Sequence, residues 1–291
     1  MTNAPTPTAT RNVGPFAVFP IGLGGMYMSI TGRPDEAQAI GAIHAALDAG
    51  VTFIDTADVY CLDQKDIGHN ERLIAKALKG RSEKAIVATK GGLERPNGAW
   101  TRNAKPDHLV AACEASLKAL GVDAIDVYQL HAPDPAVKLA DSIRALAKLR
   151  EQGKIKHIGL SNVSDDELEA ALAIVPIVSV QNRWNPRHRA PEKDGVLAAC
   201  EKHGVAFLPY SPFGGASGAK GLSEVGSLAT EAGKRGVSAH RLVLAWMLAK
   251  SPVVVPIPGT RRAQTITDCA AATTITLDAD DIAAIERSFT A

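Results

Sequence analysis

The 291-residue sequence predicts an eight-stranded α/β barrel, a (β/α)8 TIM barrel with a short N-terminal hairpin and extra C-terminal helices. Three observations point there. A unit of about five apolar residues followed by an amphipathic helical stretch recurs along the chain. The apolar runs lack the in–out alternation of a half-exposed sheet, as parallel strands covered on both faces do. The length is long for an ordinary domain but normal for a barrel, and no linker or composition break divides it. One domain is expected over residues 11–291, after a Thr- and Pro-rich tail, residues 1–10, expected to be disordered.

The elements follow in order. Residues 13–19 predict a small hairpin turning at Gly14-Pro15. The first barrel strand, 18–23, ends in Gly22-Leu23-Gly24-Gly25, which opens like a dinucleotide fingerprint. Bulky Tyr27 and the lack of an immediate helix argue against that loop. Helix 35–49 has Ile40, Ile43, Ala46 and Leu47 on one face, and strand 51–54 follows Gly50. Next come helix 70–78, strand 85–89 ending at Lys90, helix 106–120 with Pro106 in its first turn, and strand 125–130 ending at His131. Helix 137–152 stops at Gly153 and strand 155–160 ends at Ser161-Asn162. Helix 164–173 has Ser164 as its cap, and strand 177–180 ends at Gln181. Helix 191–203 closes at Gly204, and strand 205–209 ends at Tyr210. Helices 222–235 and 238–250 precede the last strand, 253–257, which ends at Pro258-Gly259-Thr260. Helices 261–271 and 279–288 close the chain.

In a parallel barrel the C-terminal strand ends share one face, where chemistry sits. That face collects Asp55, Tyr60, Lys90, His131, Ser161, Asn162, Gln181 and Tyr210. A carboxylate ending a buried strand is costly unless paired. Asp55 alone reads as a helix cap; Lys90 at the next strand end offers it a cation. A lysine beside Tyr60 is expected to favour the phenolate and lower the phenol from its ordinary value of about 10, making a useful proton donor near neutral pH. His131 is placed to hydrogen-bond the same oxygen or polarise a carbonyl.

Composition narrows the partners. Lys plus Arg number 32 against 31 Asp plus Glu, so no net field draws nucleic acid or a membrane surface. The apolar runs are too short to span a bilayer, and no secretory signal opens the chain. Cys61, Cys113, Cys200 and Cys269 form no close pair or zinc spacing and read as reduced thiols of a cytoplasmic protein. Eight scattered histidines argue against a metal site.

With these residues in place, the sequence resembles the aldo-keto reductase superfamily from about Val13 to Ser288. The motifs are GVTFIDTADVY followed by NERLIAKAL, VATKGG, DVYQLHAPDP, GKIKHIGLSN, VQNRWNP, PYSPFGG and VPIPGTRR. The resemblance implies a barrel, monomeric or loosely oligomeric, that reduces aldehydes or ketones with NADPH, NADH being a second option. It implies Tyr60 as general acid, Lys90 ion-paired with Asp55 as its tuner, and His131 as the residue orienting the carbonyl. It also implies cofactor contacts from Gly25, Met26 and Asp55. Ser161, Asn162 and Gln181 would hold the carboxamide, and Tyr210 would lie against the nicotinamide. Ser211, Pro212, Phe213 and Gly214 would run along the pyrophosphate. Pro258, Gly259, Thr260 and Arg261 would grip the 2′-phosphate, with Thr265 and Asp268 beyond. A helix N-terminus beside Arg261 and Arg262 is physically a good anion site.

Three residues depart from the family pattern. Cys61 follows Tyr60 where glycine is usual, and is expected to fill a gap rather than react. Thr265 stands where arginine or glutamine is frequent, and Cys269 where asparagine near the adenine is frequent. Substrate contacts are expected from the loops: Tyr27 (with Met26), Trp100 and Trp184. Trp246 reads as core and Arg187 as a solvated arginine. NGAW, VSVQNRWNPRHRA and PFGG resemble bacterial pyridoxal-reductase-like members, which makes pyridoxal one candidate carbonyl. Two alternatives remain on the same fold: a lyase or aldolase forming a Schiff base on Lys90, and a non-catalytic cofactor-sensing barrel such as the potassium-channel β subunits.

Overall fold

The computed structural model describes residues 10–289. The tail expected over residues 1–10 therefore lies, apart from Thr10, outside the described residues. The chain opens with the antiparallel hairpin β1 (Arg11–Val13) and β2 (Phe16–Val18), turning at Gly14, whose φ of +57° suits glycine. Val13 and Val18 pack with Phe53, Ala88, Val127, Leu208 and Val255 in one apolar cluster, so the hairpin joins the barrel's inner core.

The barrel begins with β3 (Leu23–Gly24), β4 (Phe53–Asp55) and β5 (Ile86–Gly91). In the loop after β5 stands a two-stranded antiparallel ribbon, β6 (Leu93–Glu94) and β7 (Thr101–Arg102). The barrel resumes with β8 (Ile125–Leu130), β9 (Ile155–Ser161), β10 (Ile177–Gln181) and β11 (Ala206–Phe207). Its seven strands pair in parallel in the order β11-β10-β9-β8-β5-β4-β3.

The eighth strand expected at 253–257 is not a regular strand, yet it closes the ring. Phe207 N–H donates to Val253 O and Val255 N–H to Phe207 O on one side. Gly22 and Gly24 N–H donate to Pro256 and Pro258 O on the other. Pro256 and Pro258 have no N–H, so a continuous ladder cannot form there. The seam is tight: a Cβ on Gly24 would meet Ile257 O at 2.8 Å.

The helices cover this sheet much as the periodicity implies. Ser164 caps helix 165–172 with Glu167 in a reciprocal capping box, and Asp35 caps helix 36–48. The helix expected over 191–203 is two, Ala190–Lys193 and Val196–His203, because Gly195 between them sits at φ +89°. That expected over 222–235 begins as a 3-10 turn, 222–224, and becomes α-helix only over 226–234. Among the described residues no helix is long and apolar enough to cross a membrane, and no cluster could hold a metal ion.

Candidate active site

The ends of β4 and β5 bring together what the sequence only aligned. The Lys90 side chain is fully buried, and its Nζ makes three contacts: Asp55 Oδ2 at 2.7 Å, Thr56 O at 2.8 Å and Tyr60 Oη at 2.9 Å. An ammonium has three protons, so its donor capacity is used up. Asp55 Oδ1 accepts from Gln181 Nε2 at 2.7 Å and Gln129 Nε2 at 3.1 Å. The buried ion pair is thus hydrogen-bonded on all sides, the condition under which a buried charge pair is tolerated.

Tyr60 differs from the sequence-based expectation. Its phenol is pushed well above the ordinary range, first by burial and then by the charge of Asp55. Lys90 does not offset this, because its charge is matched by Asp55 at 2.7 Å. Tyr60 is therefore held as a neutral phenol. Since its Oη accepts from Lys90 Nζ, its own O–H points elsewhere. Burial presses the Lys90 ammonium below its ordinary range while Asp55 opposes the shift.

His131 sits with its ring edge-on to Tyr60, centroids 5.8 Å apart. Burial first, and the Lys90 charge second, hold its imidazole well below 6.5, so it is neutral near pH 7. Its Nδ1 is buried without a partner among the described residues. Trp100, at the tip of the β6–β7 ribbon, lies 6.4 Å from Tyr60 and 6.5 Å from His131, centroid to centroid, and is 46% exposed.

Trp184 does not belong with them. It is fully buried against Trp246 (5.1 Å) and Phe207 (6.0 Å), and its indole N–H donates to Glu192. It is core. Tyr27 and Met26, both expected near the substrate, face different neighbours. Met26 packs with Ala57, Val59 and Tyr60, whereas Tyr27 lies against Gly259 and under the Arg261 guanidinium, 5.7 Å from its ring. Neighbouring residues of one 3-10 turn, 26–28, point in different directions, which sequence position alone could not resolve. Cys61 is buried, with its thiol within hydrogen-bond reach of Val59 O and Asp63 O and pushed up to about 11 by burial, as a gap-filling residue would be.

The remaining expected cofactor positions differ in their surroundings. Asn162, at φ +59°, donates to His131 O and Ser161 Oγ and accepts from the Tyr210 hydroxyl. Ser211 (φ +51°), Pro212 and Gly214 (φ +81°) make a sharp turn. Phe213, expected with them, turns its ring into the core, edge-on to the His240 ring with centroids 4.8 Å apart. Gly259 leaves no room for a side chain: a Cβ would meet Tyr27 Cδ2 at 2.7 Å. Thr260 Oγ1 accepts from Arg262 N–H just before helix 263–270, and Arg261 Nε donates to Tyr27 O. Arg261 and Arg262 have no acidic partner among the described residues. Thr265 lies in that helix, and Asp268 is held by Arg241 and Ser238. Cys269 is buried in the core.

Three further residues, Gln129, Asn70 and Glu71, were not singled out, and Asp58 was read only as a possible helix cap. Gln129 braces Asp55 from mid-strand. Asn70 ties Thr56, Gly25 O and Ser29 together. Asp58 and Glu71 are buried acids, both raised chiefly by burial. Their only signal was polar residues at apolar-face positions of NERLIAKAL and beside the Asp55 strand.

The chain as a whole is similar to known oxidoreductases. An uncharacterized oxidoreductase of Schizosaccharomyces pombe is 36% identical, over 96% of this chain and 89% of that protein. A probable aldo-keto reductase of Glycine max is 34% identical, over 92% and 84%. Among solved structures, a Klebsiella pneumoniae aldo/keto reductase in complex with NADP and acetate superposes with TM-score 0.83 at 27% identity, covering 97% of this chain and 95% of that one. The glycerol dehydrogenase of Gluconobacter oxydans gives TM-score 0.83 at 28% identity, with the same coverage. The Aldo/keto reductase family model matches residues 20–289, and with the strand-end constellation lying inside that span the chain belongs to the aldo/keto reductase family.

Proposed function

We propose that this protein reduces an aldehyde or ketone to the alcohol with NADPH, Tyr60 delivering the proton. The observation that carries the reading is the Lys90–Tyr60 contact at 2.9 Å. Because Lys90 donates to Tyr60 Oη, the phenolic proton is directed away from Lys90, toward whatever oxygen occupies the cleft. The positive charge that remains behind Oη stabilises the phenolate left after transfer. Gln129 and Gln181 keep Asp55 in place, and Asp55 keeps Lys90 in place. Neutral His131 polarises the carbonyl without competing as an acid.

A nicotinamide cofactor, when bound, supplies the hydride. The chain has groups that fit it. The Ser161 hydroxyl accepts from Asn162, which leaves its O–H to donate to a carboxamide oxygen, and Gln181 Oε1 remains to accept the carboxamide N–H. Tyr210, hydrogen-bonded to Asn162, offers its ring. Arg261 and Arg262, lacking acidic partners among the described residues and set beside the start of helix 263–270, suit the extra phosphate of NADPH. The NADP complex of the Klebsiella relative supports the same choice. A Schiff base on Lys90 is disfavoured, since all three of its donors are engaged and its side chain is shut from solvent.

Fluorescence titration with NADPH and NADH, followed by carbonyl-dependent oxidation of the bound cofactor, tests the reading. NADPH is expected to bind more tightly, and Arg261→Ala to weaken NADPH more than NADH. Absence of binding by either cofactor would overturn the proposal; equal losses in Arg261→Ala would remove Arg261 from phosphate recognition.

A further inference from the structure

Arg95, next to the candidate site, is a buried cation without a counter-ion among the described residues. It is 4% exposed, in the turn that leads from β6 to Trp100. One Nη donates to Cys61 O and Leu62 O, the two residues after Tyr60. Its Nε and other Nη are buried and have no hydrogen-bond partner among the described residues. The neighbouring acids are committed elsewhere. Glu94 accepts from Asn103 and lies 3.7 Å from His108, and Asp66 pairs with Arg33 at 2.6 Å. An unpaired buried charge with two idle donors is costly, and such a group is retained where something else meets it.

The position says what that is. The Arg95 guanidinium lies 3.9 Å from the centroid of the Trp100 ring, and that ring is edge-on to both Tyr60 and His131. Guanidinium, indole and the Tyr60–His131 pair therefore follow one another in successive ring contacts. We infer that Arg95 is a specificity-determining residue that binds an anionic group, carboxylate or phosphate, carried by the carbonyl substrate several bonds from its reacting carbon. Either idle donor, Nε or Nη1, can meet one oxygen of a carboxylate or phosphate. Trp100, half exposed at the tip of a turn holding Asn97 at φ +49° and Gly98 at φ +80°, is the side chain that must shift for the anion to reach it. The inference rests on the reductase reading and deepens it by naming the substrate class.

The test pairs aldehydes that differ in the anion: 4-carboxybenzaldehyde with benzaldehyde, and glyceraldehyde 3-phosphate with glyceraldehyde. Each is assayed with NADPH on wild type, Arg95→Met and Arg95→Lys. A charge-assisted contact predicts that wild type prefers the anionic member of at least one pair by about tenfold or more in kcat/KM. The preferred pair tells carboxylate from phosphate. In Arg95→Met the ratio falls to about one, chiefly through KM, and Arg95→Lys retains part of it. If Arg95→Met does not fold, the wild-type ratios and their decline with added salt decide alone. Reduction of the neutral aldehydes with no anionic preference, or a ratio unchanged in Arg95→Met, overturns the inference and leaves the reductase intact. No NADPH oxidation with any of the four aldehydes would count against the reductase reading itself.

Discussion

Replacing Lys90 by methionine separates the structural role of the buried ion pair from its chemical role. The substitution keeps most of the length of the stem and removes the ammonium. Asp55 Oδ2, Thr56 O and Tyr60 Oη lose their donor together. Breaking a buried ion pair by removing one partner costs about 3–5 kcal/mol. Asp55 keeps both glutamine donors on Oδ1, so the lower end, about 3 kcal/mol, is expected. Urea denaturation followed by tryptophan fluorescence measures it. Activity should fall by about a hundredfold or more, because nothing then stabilises the phenolate that proton transfer leaves. The double variant Asp55→Asn/Lys90→Met removes both charges and should regain most of the lost stability while staying inactive. A Lys90→Met protein within about 0.5 kcal/mol of wild type would refute the reasoning, since surface-like substitutions fall in that range. So would a double variant no more stable than the single one.

Two other perturbations read the same geometry. Trp184→Ala should cost about 3–5 kcal/mol through a core cavity and leave the KM of a small aldehyde within about threefold; a large KM change at unchanged stability would return Trp184 to the substrate site. Because the folded site holds His131 well below 6.5, the unfolded chain takes up a proton that the folded one refuses. This contribution to stability is complete above about pH 6.5 and is lost as the pH falls toward the lower folded value. His131→Gln should flatten that part of the profile, and a profile superposable on wild type between about pH 5 and 7 would contradict the assignment.

The barrel was legible because its signals are local. Apolar runs, caps such as Ser164 and stops such as Gly153 each follow from a few neighbouring residues. The polar residues ending β4, β5, β8, β9 and β10 marked the site for the same reason. What the sequence hid depends on contacts or direction. Trp184 and Trp100 look alike in a loop, yet one turns into the core and the other over Tyr60. Met26 and Tyr27, expected together, part company because one 3-10 turn sends adjacent side chains apart. Helix 215–220, Gly-Ala-Ser-Gly-Ala-Lys, carries no apolar stripe and so gave no periodicity. The shift of Tyr60 was expected in the wrong direction. Proximity to Lys90 was read from strand ends, but the degree of burial, which outweighs it, is a property of the packed molecule. Arg95 was passed over because a lone arginine in a turn is ordinarily solvated; only its burial and idle donors distinguish it.

The central claim is that the proton given to the carbonyl comes from Tyr60. Phenylalanine at this position keeps the ring within its cluster of Ala57, Val59 and Met26 and removes only the hydroxyl. The most direct measurement is the turnover of Tyr60→Phe with NADPH and a reducible aldehyde, beside an NADPH titration of the same preparation. The account predicts turnover lowered by about a hundredfold to ten-thousandfold with cofactor affinity retained. Turnover within about twofold of wild type would mean that the proton comes from elsewhere.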